Sequence, residues 1–198
     1  PTRTKDCPPD CAYCKYGLED TVPILTRARQ RPTPGVVVTS AARKIIEFSK
    51  AGDKVATILV TGMDDPTKHR HLLEISENLR TLRNKWYAKA KLAIATRGEG
   101  LKSAETRRAL MIYDQPIVRM EWGTAKTFAA MTGRPSTALA RMCDALRPID
   151  KLIVEATFVR GKPDNSTDSE VRNWIKRIAD LSPKEVHIGT LPASTKRS

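Results

Sequence analysis

Short apolar runs rich in β-branched residues recur along the chain at 54–60, 91–95, 117–120, 151–159 and 185–188. Near-continuous apolar runs of this length are what strands buried on both faces of a parallel sheet require. Between them, apolar residues fall at helical spacing. "TSAARKIIEFSKAG" (39–52) opens on small hydroxyl residues and stops at Gly52, which predicts a first helix. Further helices are predicted over 67–85, 103–112 and 124–146, the last with a break at Gly133-Arg134-Pro135. A final helix carries the capping box Thr167-x-x-Glu170 and runs to Leu181, with Pro183 just beyond. "RARQRPTPG" (27–35) reads as a basic, proline-rich loop ahead of the first helix. Five strands alternating with helices specify an α/β fold, a parallel sheet or barrel with right-handed crossovers. The active site of such a fold lies in the loops at the carboxyl ends of the strands. With no short repeat, low-complexity stretch or linker in view, residues 1–198 read as a single domain.

Composition narrows the class. Hydrophobic residues make up 40% and charged residues 29%, which is a folding chain and not a disordered one. No apolar run approaches the ~20 residues of a membrane helix, so no membrane partner is expected. Nothing at the start resembles a signal peptide, which predicts a cytoplasmic protein. The formal net charge of +13 suits either an acidic partner such as RNA or a basic soluble surface. The lysines and arginines are spread, and aromatic residues are only 5%. Any nucleic-acid contact is therefore expected to be electrostatic and nonspecific, without a stacking platform.

Three of the four cysteines fall within "DCPPDCAYCKYG" (6–17), as Cys7, Cys11 and Cys14. Clustered thiols in a reducing compartment hold metal or do redox work more often than they form disulfides. Three thiolates can bind three irons of a cubane and leave the fourth iron without a protein ligand. Zinc would need a fourth ligand. The next candidates, His69 and His71, lie far along the chain at i, i+2 of a predicted helix. Two classes stay open on the residues alone: an iron–sulfur enzyme, and a zinc-binding nucleic-acid-binding protein without radical chemistry. Cys143, isolated on "TALARMCDAL", reads as a buried structural thiol.

"CPPDCAYC" resembles the C-x3-C-x-aromatic-C motif of the radical S-adenosylmethionine (radical SAM) superfamily. The likeness continues in order. "VTGMDDPT" (60–67) resembles the "SGxGEPT" loop of one branch, and "ATRG" (95–98) resembles its "TNG" loop. "RMEWGTAKTF" (119–128), "MTGRPS" (131–136) and "TFVRGKPDNSTDSEVRNWI" (157–175) resemble its later stretches "KLDAG…TF", "INRPH" and "FVRGxNDSxEEV".

The resemblance implies a partial (β/α)6 barrel of parallel strands, with the cysteine loop after the first strand. The six residues before Cys7 do not read as a strand. Either the barrel is trimmed of its first strand, or the natural chain begins before Pro1. A [4Fe–4S] cluster on Cys7, Cys11 and Cys14 is implied, with S-adenosylmethionine chelating the open iron. One-electron reduction, by a low-potential flavodoxin- or ferredoxin-like donor, would cleave the sulfonium bond to a 5′-deoxyadenosyl radical that abstracts hydrogen from a substrate not identified by the motifs. The implied S-adenosylmethionine contacts are Tyr13, near the adenine, with Gly62, Asp64, Asp65 and Pro66 of the second loop and Thr96 of the third. Asp65 takes the place of the Glu that receives the amino group, and Asp64 replaces a glycine. Arg97 stands in place of Asn. Glu121 stands where an Asp faces the ribose, and Arg119 is placed to meet the carboxylate.

Overall fold

The computed structural model describes residues 31–62 and 65–189. Cys7, Cys11, Cys14, Tyr13 and Asp64 lie outside the described residues. Within the described residues five strands form one all-parallel sheet: β1 (Thr57–Val60), β2 (Lys91–Thr96), β3 (Gln115–Arg119), β4 (Ile153–Thr157) and β5 (Glu185–Gly189). Their order in space is their order in sequence. Each strand lies beside its predecessor, as in the wall of an α/β barrel; a doubly wound sheet would reverse its order partway. The fold is α/β and compatible with a partial barrel.

Among the described residues six α-helices connect and flank the strands: α1 (Pro34–Ala51), α2 (Leu72–Trp86), α3 (Ala104–Leu110), α4 (Ala125–Thr132), α5 (Thr137–Leu146) and α6 (Asp168–Leu181). Alternation along the strands divides the sheet. Leu92, Ile94, Val118, Met120, Val154 and Ala156 face the helices. They share one core with Leu79 of α2, Leu110 of α3, Phe128 of α4, Leu146 of α5 and Trp174 of α6. The opposite face carries Ala93, Ile117, Arg119, Ile153 and Glu155, and becomes polar toward the strands' carboxyl ends. Inside the core, the Tyr113 hydroxyl sits 2.8 Å from Ser76 Oγ, which itself donates to the Leu72 carbonyl at 2.7 Å. Ser76 has only one proton, so Tyr113 is the donor of the pair. Burial pushes the Tyr113 phenol up to about 12.

The expected elements are present, with shifted ends. The "PTPG" stretch is not all loop. Thr33 caps α1 by accepting from Val36 N–H at 3.5 Å, and Pro34 opens the helix, where its missing N–H is no loss. The helix expected over 67–85 starts later. Asp65 and Pro66 first make a single 3₁₀ turn, Pro66–Lys68, and α2 begins only at Leu72. The break in 124–146 falls at Gly133, in the left-handed region at φ 67°, which separates α4 from α5. Among the described residues no helix is long and apolar enough to cross a membrane.

Candidate functional site

The loop after β1 and the carboxyl ends of β2, β3 and β4 meet around a cleft of about 190 Å³. Gly62, Asp65, Pro66, Thr96 and Arg119 all line it, together with Thr61, Ala95, Arg97 and Glu155. Five of the site residues expected from the sequence are therefore brought to one place, Gly62, Asp65 and Pro66 from the β1 loop and Thr96 and Arg119 from the ends of β2 and β3. Glu121 stands beside them, with its Oε1 3.4 Å from Arg119 Nε and its side chain 1% exposed.

Asp65 is the keystone of this arrangement. It is 4% exposed and accepts hydrogen bonds on both oxygens. Oδ1 accepts from Thr67 N–H (2.9 Å), the Thr67 hydroxyl (2.7 Å) and the Thr96 hydroxyl (2.5 Å). Oδ2 accepts from the N–H groups of Arg97 (2.9 Å) and Glu99 (3.2 Å). Thr96 Oγ1 in turn accepts from Gly98 N–H, and Thr67 Oγ1 from Gly100 N–H. Four consecutive amides, 97 to 100, thus turn inward onto one carboxylate and two threonines. A carboxylate has about four lone-pair sites. Those of Asp65 are engaged in tying the β2 loop to the β1 loop.

Arg119 projects from the sheet face opposite the helices, between two carboxylates. Its Nη2 lies 3.3 Å from Glu155 Oε2 of β4, its register partner, and its Nε faces Glu121. Arg97, across the cleft, pairs with Glu99 at 2.8 Å. The cleft wall therefore alternates guanidinium and carboxylate groups.

Two buried polar side chains brace the chain just beyond β3 and β4. Asn165, 1% exposed, donates to the carbonyls of Glu121 and Thr157 (2.9 Å each) and accepts from Val159 N–H at 2.7 Å. It ties the end of β3 to the end of β4. Glu170 departs from the expected capping box. Thr167 does cap α6, accepting from Glu170 N–H at 3.3 Å. The Glu170 carboxylate does not reach back to Thr167. It accepts instead from Gly123 N–H (3.0 Å), Thr124 N–H (3.1 Å) and the Thr124 hydroxyl (2.6 Å), bracing the β3 loop. Three donors on that loop outcompete the single amide of the box.

Burial opposes the charge on Glu170, but the bonds from Thr124, Thr127 and Gly123 outweigh it and hold the carboxyl below its usual range. Asp114 behaves alike. Its partial burial is overcome by Leu92 N–H and the guanidinium of Arg83, both at 2.9 Å. A depressed carboxyl stabilises the fold above its unfolded pKa, and that stability is lost as pH falls through the folded pKa. Urea midpoints are expected to be flat near neutrality and to drop below about pH 4. In Glu170→Gln the midpoint is lower at neutral pH and the acid slope shallower. An unchanged slope would remove Glu170 from this account.

Glu155 and Asn165 were not singled out from the sequence; Glu170 was read only as the acid of a capping box, and Thr67 only as the end of the loop 60–67. Glu155 had a signal: it is a charged residue inside the apolar run 151–159. His69 and His71 lie in the turn before α2, not within a helix, with ring centroids 6.1 Å apart. His69 Nε2 contacts the Pro32 carbonyl at 2.9 Å. Among the described residues no group of three or more His, Cys, Asp or Glu side chains could hold a metal ion. Cys143 is buried as expected, with Arg177 Nη1 3.7 Å from its sulfur.

The fold and cleft define a parallel α/β protein with a polar site at the strand ends. Comparison with the models of known families and with curated proteins gives no match for the chain.

Proposed function

We propose that the chain is a radical SAM enzyme core, with a [4Fe–4S] cluster on Cys7, Cys11 and Cys14 and S-adenosylmethionine in the cleft at the strand ends. The observation that carries this reading is convergence. Gly62, Asp65, Pro66, Thr96 and Arg119 were picked out by three motifs scattered over about 60 residues, and they line one cavity. The cleft also suits an amino-acid zwitterion. Arg119 offers a guanidinium to a carboxylate, and Glu155, 43% exposed, offers a carboxylate to an ammonium. Asp65 engages both its oxygens within the loops, so its part here is to shape the cleft, and the ammonium falls to Glu155. The buried Asn165 and Glu170 brace the chain beyond β3 and β4, the strands that carry Arg119 and Glu155. When bound, the reduced cluster supplies the electron for homolytic cleavage of the sulfonium bond.

The test is anaerobic reconstitution with iron and sulfide analysis. Wild type and Cys143→Ala are expected to load a cluster and turn brown. Cys7→Ala, Cys11→Ala and Cys14→Ala are expected to lose it. A colourless wild-type protein with stoichiometric zinc would replace this reading by the zinc-binding one. Full loading in any of the three single variants would also count against it.

A further inference from the structure

A second cavity, of about 460 Å³, opens on the other side of the 97–100 loop, between α3 and α5. Four cations converge on it: Lys102, Arg107, Arg134 and Arg141. None of the four forms an ion pair with a carboxylate among the described residues. The cavity's two acids are engaged elsewhere. Glu99 lies 2.8 Å from Arg97 and 3.7 Å from Lys68, and Asp144 lies 3.1 Å from Arg147. Four cations against two acids leave a positive surplus, which Glu99 and Asp65 offset only in part at Arg134.

Arg134 makes the surplus costly. It is half-buried, its guanidinium sits over the Phe128 ring 5.0 Å from the centroid, and its nearest oxygen partner is the Arg97 carbonyl at 3.5 Å. Burial is the largest influence on it and disfavours its charge. An anion in the cavity would offset that penalty. Arg107 is held in place by donating to the carbonyls of Leu101 (2.8 Å) and Lys102 (3.0 Å). The remainder of the lining is apolar: the buried side chains of Leu101 and Met142, with two alanines. A thioether beside an aliphatic chain is an adaptable surface for a flat ring. The volume is that of a ligand pocket of some 300–1,000 Å³ and far exceeds the needs of a bare phosphate ion.

We infer that this cavity binds an organic phosphate of mononucleotide size, its phosphate against the four cations and its base against Leu101 and Met142. Free mononucleotides and the terminal nucleotide of an RNA strand share that chemistry. The cavity uses none of Cys7, Cys11, Cys14 or Arg119, so its failure would leave the radical SAM reading intact, and the reverse.

The experiment uses the full chain, with calorimetry and thermal shift against AMP, GMP, CMP, UMP, adenosine, inorganic phosphate and a 5′-phosphorylated RNA hexamer. At least one mononucleotide is expected to bind and raise the melting temperature, with adenosine and inorganic phosphate weaker by about tenfold or more. Arg141→Glu is expected to lose about tenfold in affinity, whereas Lys176→Glu, the same charge change on exposed α6, keeps it. A hexamer that binds more tightly than any mononucleotide, through Arg141, would assign the phosphate to RNA. A mononucleotide that outcompetes the hexamer would assign it to the free pool. The inference is overturned if no mononucleotide and no hexamer binds, if inorganic phosphate binds equally well, or if Arg141→Glu binds like wild type.

Discussion

Asp65→Asn is expected to lower stability by about 3–5 kcal/mol, near the top of the range for a single substitution. Five donors from two loops point at this carboxylate, which is almost fully enclosed. An asparagine replaces one acceptor oxygen with an NH2 group. On Oδ2 that group would face the amides of Arg97 and Glu99, donor against donor. On Oδ1 it would face three donors. Either orientation leaves buried N–H or O–H groups without an acceptor, at about 1–3 kcal/mol each. For a chain of this size the melting temperature should fall by about 10 °C. The amides of Arg97 and Glu99 should also lose protection from hydrogen exchange. On the proposed function, S-adenosylmethionine binding would weaken too, as a consequence of a loosened cleft. A carboxylate acting on the ligand alone makes the opposite forecast, with affinity lost and stability kept. An unfolding free energy within about 0.5 kcal/mol of wild type in urea would therefore move Asp65 from bracing to ligand contact.

The same residue shows how far reading the chain alone reaches. The motif placed Asp65 at the site, and it lines the cleft. Its job depends on which amides face it, and those belong to residues 97 and 99, some thirty positions away. No local pattern carries that information. Glu170 shows the limit from another side. The T-x-x-E spacing located the start of α6, since the Thr167 cap is local. The carboxylate's destination is a loop 46 residues earlier in the chain, and tertiary donors won over the local amide. β2 and β4 were legible because consecutive buried residues on both faces leave an apolar run, whereas β3 is buried on one face and β1 has no buried residue; the consecutive strand order follows from the short crossover helices between them. β5 shows what burial does not explain: all five of its residues are exposed, yet it pairs along its length with β4. Helix starts were less legible. Pro34 after Pro32 suggested a loop, although Thr33 capping and a proline at the first helical position begin α1 there. Arg119 and Glu121 share a face because they are two residues apart at the end of a strand, which alternation predicts. Glu155 completes the charged row only through the β3–β4 register, which pairs it with Arg119.

The glycines that permit this packing yield the second large effect. A Cβ built on Gly100 would lie 1.8 Å from the Thr67 carbonyl oxygen and 2.4 Å from its carbon. One on Gly123 would lie 2.1 Å from the Glu170 carbonyl oxygen. Both obstacles are backbone, so no side-chain rotation relieves them. The contacts are also pinned from the other side. Gly100 N–H donates to Thr67 Oγ1 at 3.0 Å, and Gly123 N–H donates to the Glu170 carboxylate. Moving either loop away to admit a methyl group would stretch the bonds that define the cleft. Gly100→Ala and Gly123→Ala are each expected to cost about 3 kcal/mol, the upper end of overpacking in a fixed environment. Gly35→Ala is the internal comparison. It lies in the first turn of α1 with nothing within 4 Å of its would-be Cβ. There the same methyl group should be neutral or stabilise by about 0.5–1 kcal/mol, through helix propensity and a less flexible unfolded chain. Denaturation midpoints of the three variants, measured side by side, separate local crowding from any general cost of added bulk. If Gly100→Ala unfolds at the wild-type midpoint, the 97–100 loop is not clamped against Thr67, and the bracing role assigned to Asp65 falls with it.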